Sequence, residues 1–245
     1  MSKTTRTNAA SSGVKVDSKS IKSLSARSDR PGLIYLAKLM VLLATTGTVV
    51  MMCVGTLWVW PAMFLHGIVL CVPTYSASHE TAHGTAFKTP WLNEAVLWIS
   101  SFVYMEEPLH RRYTHTSHHM YTWHVGKDAQ MPFDTPMGLG GWFAEITGFA
   151  LARFHGHVFL QLATRRYTDM MRMACPEGVF DKMTRNARIM LALYTLIVAA
   201  PFFGVWWPIW LLVIPRVLGA PVMLLFTLIQ HVELRENSPS ILEST

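Results

Sequence analysis

The sequence predicts an all-α membrane protein, with about four transmembrane helices in two hairpins and a helical segment between them that carries clustered histidines. Three observations predict this. Of 245 residues, 51% are hydrophobic and only 15% are charged, against roughly 25% charged in an ordinary soluble domain. The mean hydropathy is positive, at +0.28, and the apolar residues gather into blocks of membrane-crossing length, about 20 residues. The histidines, 11 in all, fall mostly between those blocks.

Residues 1–31 are rich in Ser and Thr, with seven Lys or Arg against Asp17 and Asp29. A basic, Ser-rich leader also suits an organelle transit peptide, but a disordered cytoplasmic tail is the simpler expectation. The long apolar run that follows has no small-residue cleavage site, which excludes a cleaved secretory signal. Residues 32–245 are expected to form one membrane domain. Its first hairpin spans 32–56 and 57–75 and turns near Trp58, Trp60 and Pro61; its second spans 189–205 and 207–229 and turns near residues 202–208. Both turns are uncharged and hold Trp, as interfacial connections do. Lys and Arg concentrate in the tail and in residues 76–188, so the positive-inside bias places the tail, the middle segment and the C-terminus on the cytoplasmic side. An even number of crossings then brings the histidines of the middle segment and His231 to one face.

Within the middle segment, residues 95–104 and 142–162 are apolar but short or interrupted, and suit interfacial or re-entrant helices. Arg216 lies inside a span; the expectation is that Pro215 breaks the helix and the guanidinium snorkels to an interface. Cys53 and Cys71 fall in spans and Cys175 in a basic stretch, which excludes a disulfide framework. Cysteine-rich metal spacing is absent as well, which removes most structural zinc and iron–sulfur readings.

The chemistry lies in the histidines. HETAH, residues 79–83, sets His79 and His83 one helical turn apart on one face. HRRYTHTSHH, residues 110–119, holds His115, His118 and His119 at i, i+3 and i+4. Packing alone is a poor account of five such imidazoles, since charged they would repel, whereas a bound cation uses their neutral lone pairs. HETAH by itself fits a zinc peptidase with Glu80 as general base. Yet five imidazoles exceed a catalytic zinc, which takes three protein ligands and keeps one open position. Two metal ions fit better, and imidazole suits iron. His66, alone in a span, reads as a satisfied packing histidine. His155 and His157 are splayed on a helix or lie on opposite strand faces, and His124 reads as a second-sphere or surface group; none of these three is expected to be a ligand.

HETAH, then HTSHH about 35 residues on, then LIQHVEL after a second pair of spans, resembles the integral-membrane fatty acid desaturase and hydroxylase family. HTSHHMYTWHVGKDAQMP is similar to its bacterial branch. The resemblance implies two iron ions held by histidines, O2 as co-substrate, and removal of hydrogen from an unactivated acyl C–H. Position by position it implies His79 and His83 as the first box, His115, His118 and His119 as the second, and His231 as a further ligand. Glu80 and His110 are then expected to support ligand imidazoles. The implied partners are the bilayer, a fatty acyl substrate linked to lipid, CoA or a carrier, and a ferredoxin- or cytochrome b5-type electron donor, with no nucleic acid. The family's third box, HxxHH, is absent up to Thr245, and LRENSPSILEST reads as the start of a connecting segment cut short. The domain is therefore expected to be C-terminally incomplete and, as this chain alone, weak in iron binding and slow in turnover. Desaturation, hydroxylation by the same site, a zinc peptidase and a metal-storing membrane protein stand in that order as expectations.

Overall fold

Membrane helices must satisfy their backbone internally, so the long apolar blocks leave helix as their choice. The computed structural model describes residues 25–130 and 138–231, together with residues 17, 19, 22 and 237; the side chain of His231 lies outside that description. Most of the expected basic tail and nearly all of LRENSPSILEST also lie outside the described residues. All regular structure among the described residues is helical: α1 Arg30–Cys53, α2 Val59–Ala82, α3 Pro90–Tyr104, α4 Pro108–Tyr121, α5 Leu139–Ile146, α6 Phe149–Ala163, α7 Asp169–Ala174, α8 Phe180–Ala199 and α9 Ile214–His231. A 3-10 turn, Ala200–Phe203, extends α8, and a π-helical turn, Ile209–Val213, leads into α9. Four stretches are long and apolar enough to cross a membrane: Arg30–Cys53, Val59–Ala82, Glu177–Phe203 and Ile209–Gln230.

The helical hairpins match the expected order, but their boundaries move. The second apolar block does not stop at residue 75; α2 continues to Ala82, and His83 is its C-cap. The first histidine box is thus the end of a membrane helix rather than a segment after it. The apolar stretch 142–162, expected to be short or interrupted, is broken at Gly148, whose φ of 70° ends α5 and starts α6. Glycine reaches that conformation without strain, and here a Cβ would also stand 2.8 Å from the Cβ of Ala220. At 15, 8 and 15 residues, α3, α5 and α6 are shorter than the roughly 20 needed to span.

Helix α2 is central, packing against α1, α3 and α9. Its crossing with α9 is backbone on backbone: a Cβ on Gly67 would lie 1.9 Å from the Pro215 carbonyl oxygen, and one on Gly219 would lie 2.4 Å from the Gly67 carbonyl. Small residues at such a crossing let two membrane helices approach without a hydrophobic driving force. Prolines on both helices leave carbonyls four residues earlier without their usual donor, and neighbouring side chains supply replacements. Pro73 frees the Val69 carbonyl, which accepts from the Thr74 hydroxyl at 3.3 Å. Pro215 frees the Leu211 carbonyl, and His66 Nε2 pairs with it at 3.1 Å while His66 Nδ1 meets Thr46 Oγ1 at 2.7 Å. His66 is a packing histidine, and its partner is a consequence of Pro215.

Arg216 does not snorkel. Its guanidinium donates to the Val103 carbonyl at 2.8 Å and to the Tyr104 carbonyl, and lies over the Tyr104 ring. Tyr194 donates its hydroxyl to the Phe102 carbonyl at 2.7 Å. The last carbonyls of a helix have no intrahelical donor and carry the negative end of its dipole. Arg216 and Tyr194 therefore cap α3 from two other membrane helices, which accounts for an ionisable residue within the span. Just before α1, Asp29 ties the chain to the start of α3, accepting from the Thr89 backbone N–H at 2.8 Å and from its hydroxyl at 2.6 Å.

Candidate metal centre

Two helix ends build the site. The last turn of α2 carries His79 and Glu80 and is capped by His83. Helix α4 starts where Pro108 supplies a preset φ at its first turn and the Glu107 side chain accepts from the His110 backbone N–H at 2.6 Å, a standard way to satisfy an orphan donor. Three residues separate α3 from α4, so α4 turns back sharply and lays its i, i+4 face against the end of α2.

His79, His83, His115 and His119 meet there, with one ligating atom from each lying within 4.8 Å of all the others. Ring centroids stand 4.3 Å apart for His79 and His115, 4.9 Å for His83 and His119, and 4.5 Å for His115 and His119. His115 Nε2 and His119 Nε2 are 3.0 Å apart, the spacing of two ligand nitrogens each about 2.1 Å from one metal and at right angles. Other ring nitrogens are held from outside. His115 Nδ1 meets Gln130 Oε1 at 3.0 Å, and His79 Nδ1 meets Glu80 Oε1 at 2.9 Å. Such contacts choose the tautomer that turns the other nitrogen inward.

Electrostatics disfavour protonation of the two α4 imidazoles. Burial, with the Arg111 charge and His79 beside it, holds the His115 imidazole far below its ordinary pKa. Burial, with His83 and His118, lowers His119 as well. Unprotonated imidazoles are what a metal binds. The donor set, four imidazoles converging from two helices with the outer nitrogens of His79 and His115 anchored, fits a divalent transition metal, iron included.

His118, expected as a ligand, stands outside the group of four. Its ring centroid is 5.9 Å from both His115 and His119, and its Nδ1 lies 2.9 Å from both carboxylate oxygens of Asp128. Burial alone would raise the Asp128 carboxyl, but hydrogen bonds from His118 and from the backbone N–H groups of Gln130 and Trp123 bring it below the usual range. His110 is buried outside the cluster, and burial takes its imidazole down to about 4. The side chain of His231 lies outside the described residues, although its place at the end of α9 is described. His124 Nδ1 pairs with the Thr122 carbonyl, two residues earlier, at 3.1 Å.

Asp128 and Gln130, which orient His118 and His115, were not singled out by the sequence. The GKD run after the second box was the available signal, because a carboxylate and an amide ten to fifteen residues beyond a histidine box can reach back to its rings. His155 was set aside too, yet it is buried with Nε2 3.7 Å from Glu106 Oε1, while His157 on the other face of α6 is exposed. A cavity of about 1220 Å³ joins these groups: its walls include His79, His115, His118 and His119, and also Glu106, Arg111, His155 and Arg216.

The sequence model of the fatty acid desaturase family matches residues 55–244. The chain belongs to the fatty acid desaturase family. That match takes in both histidine boxes, Asp128, Gln130, the cavity wall and His231. No curated protein matches the chain significantly. As a desaturase-family protein with a four-histidine cluster able to hold a metal, it is a desaturase-type oxidoreductase by class, and its membrane helices belong with that assignment.

Proposed function

We propose that the protein is an O2-dependent di-iron oxidoreductase that introduces a double bond into a fatty acyl chain. The observation that carries this reading is the convergence of His79, His83, His115 and His119, with His79, His115 and His119 on the wall of a large cavity between membrane helices. His118, braced by Asp128, and His231 would complete the ligand set for two irons. When bound, iron supplies the oxygen-activating, hydrogen-removing chemistry that no side chain can perform.

The chain's own residues do the rest. Gln130 and Glu80 hold the rings of His115 and His79, so the ligands need not reorganise when metal binds. The apolar parts of the cavity wall, among them Val217, Met223 and Leu224, offer an acyl chain a dry place beside the cluster. Fixing the chain there sets which carbon is presented, and positioning of this kind contributes much of an enzyme's rate. The sites face the cytoplasm in this reading, where a ferredoxin- or cytochrome b5-type donor delivers two electrons per turnover. The zinc-peptidase alternative needs Glu80 as a base, but that carboxylate is engaged with the His79 ring.

The test is turnover of the purified, iron-loaded protein in detergent or nanodiscs with reductant, O2 and deuterated acyl substrates. Expected are slow, reductant-dependent O2 uptake and a product lighter by two hydrogens. A product heavier by one oxygen would assign hydroxylation instead, and metal uptake without O2 consumption would remove the enzyme reading altogether.

A further inference from the structure

Helices α8 and α9 belong to consecutive membrane spans, yet they share no packed seam. The α5–α6 hairpin is wedged between them: α5 packs on α9, α6 packs on α8, and the two join at Gly148, which sits against Ala220. Beyond that tip, on the side away from the histidines, the gap stays open. The cavity wall there is formed by Ile197 of α8 and by Val213 and Val217 of the last span, with Phe149 at the tip itself. Ile197 lies six residues before the end of its span and Val213 four residues after the start of the next, so the connection between the spans puts them level. Phe149, Val213 and Val217 keep 63%, 37% and 53% of their surface uncovered. Met223 and Leu224, which line the same cavity nearer the histidines, keep 5% and 8%.

Depth decides what fills this gap. Helices α2 and α9 run in the same direction, Gly67 meeting Gly219 and Tyr75 meeting Phe226, so Gln230 stands level with His79. From Gln230, itself on the cavity wall, Val217 and Val213 are 13 and 17 residues back, about 20 and 26 Å of helix. That is most of the way across a hydrocarbon core about 30 Å thick. A passage framed by Ile, Val and Phe at that depth offers water no polar partners, and lipid tails are the material beside it. The Arg216 charge nearby is taken up by the carbonyl end of α3, which leaves the passage apolar.

We infer that the cavity is open-ended: a substrate chain held with its reacting carbon at the histidine cluster runs down α9 and passes its methyl end between α8 and α9 into the bilayer core. The protein then sets the reacting position from the polar end of the chain and places no upper limit on chain length. A closed cavity would act as a ruler, since each extra methylene would press on packed side chains. Here each extra methylene meets lipid tails, which are as apolar as the side chains it leaves. That an acyl chain occupies the cavity rests on the desaturase reading; the opening between the helices does not.

The experiment uses the full-length, metal-free protein in nanodiscs and a myristic acid carrying a mid-chain diazirine. Photolysis is expected to mark Met223 and Leu224, which are buried from the bilayer and reached from inside the cavity. Myristate, stearate and lignocerate then compete for that labelling. All three are expected to displace the probe from the wild-type protein, with no loss of potency as the chain lengthens. Val213→Trp and Ile197→Trp place a bulky ring in the gap from partly exposed positions. In them lignocerate is expected to lose at least about tenfold in potency, the burial of two methylenes. Myristate is expected to keep its wild-type potency, which also reports that the variants are folded. Failure of lignocerate to displace the probe from the wild-type protein would overturn the inference, whether the cavity is blind or a second copy of the chain covers the gap. Unchanged lignocerate potency in both variants would overturn it as well, by placing the tail elsewhere. Absence of labelling with every probe length would remove acyl binding itself, and so both this inference and the desaturase reading. Because no step needs iron, failure of O2 uptake leaves the result standing.

Discussion

Gly67→Ala is the substitution for which the structure sets the sharpest expectation. In most helices Gly to Ala gains roughly 1 kcal/mol of helix propensity. At position 67 the new methyl carbon would lie 1.9 Å from the Pro215 carbonyl oxygen, while ordinary contact begins at 3.4 Å, so α2 and α9 must separate by about 1.5 Å or shear past one another. Neither partner is a flexible side-chain tip; both are helical backbone. Overpacking of side chains alone typically costs about 1–3 kcal/mol, and a backbone clash belongs at or above the upper end. The displaced helices are the two that end in His79, His83 and His231. Gly156→Ala is the matched control, since a Cβ there meets nothing within 4 Å. Thermal unfolding in mild detergent, with metal affinity measured on the same samples, is the assay. Gly156→Ala should hold or raise the midpoint, whereas Gly67→Ala should lower it by several degrees and weaken metal binding. Equal midpoints for the two variants would refute the argument, because they would mean that α2 and α9 do not touch at Gly67.

The other predictions use the polar groups around the site. Asp128→Asn keeps the size of the side chain that braces His118 but weakens its hold on the ring, and metal affinity by competitive chelation should fall about 10- to 100-fold with little change in helix content. Burial raises Glu107 from 4.5 to about 7, so the folded protein holds a proton that the unfolded chain releases. Its contribution is complete below pH 4.5 and is lost as pH rises through about 7, an effect on the order of 3 kcal/mol. Denaturant titrations across that window should show stability falling with pH, and Glu107→Gln should flatten the slope. Arg216→Leu keeps the span apolar but strips donors from the Val103 and Tyr104 carbonyls. It should cost about 1–3 kcal/mol, read as a lower unfolding midpoint, where a snorkelling arginine would cost almost nothing.

Much of this architecture was legible in one dimension. Blocks of apolar residues near 20 long can only be helices in a bilayer, so the two hairpins and their order followed from composition and spacing. The boxes were legible for a similar reason: i, i+4 spacing puts His79 with His83, and His115 with His119, on common helix faces whatever the surrounding fold. Boundaries were less legible. The apolar run fades near residue 75, but α2 continues to Ala82 because a helix, once begun, extends cheaply through Ser and Thr when its flank is packed.

What only the tertiary structure decided is pairing between residues distant in the chain. Periodicity could not show that Arg216 caps a helix more than a hundred residues earlier, or that His66 answers the carbonyl freed by Pro215. It could not show that Glu106, Arg111 and His155 share a cavity wall with the histidines, or that Asp128 rather than a metal-facing neighbour holds His118. A sequence states which groups a chain must satisfy, since every buried donor and acceptor needs a partner. Which partner it finds depends on the close approach of helices, and in this protein that approach turns on Gly67 and Gly219, whose missing side chains leave no trace in a hydropathy pattern.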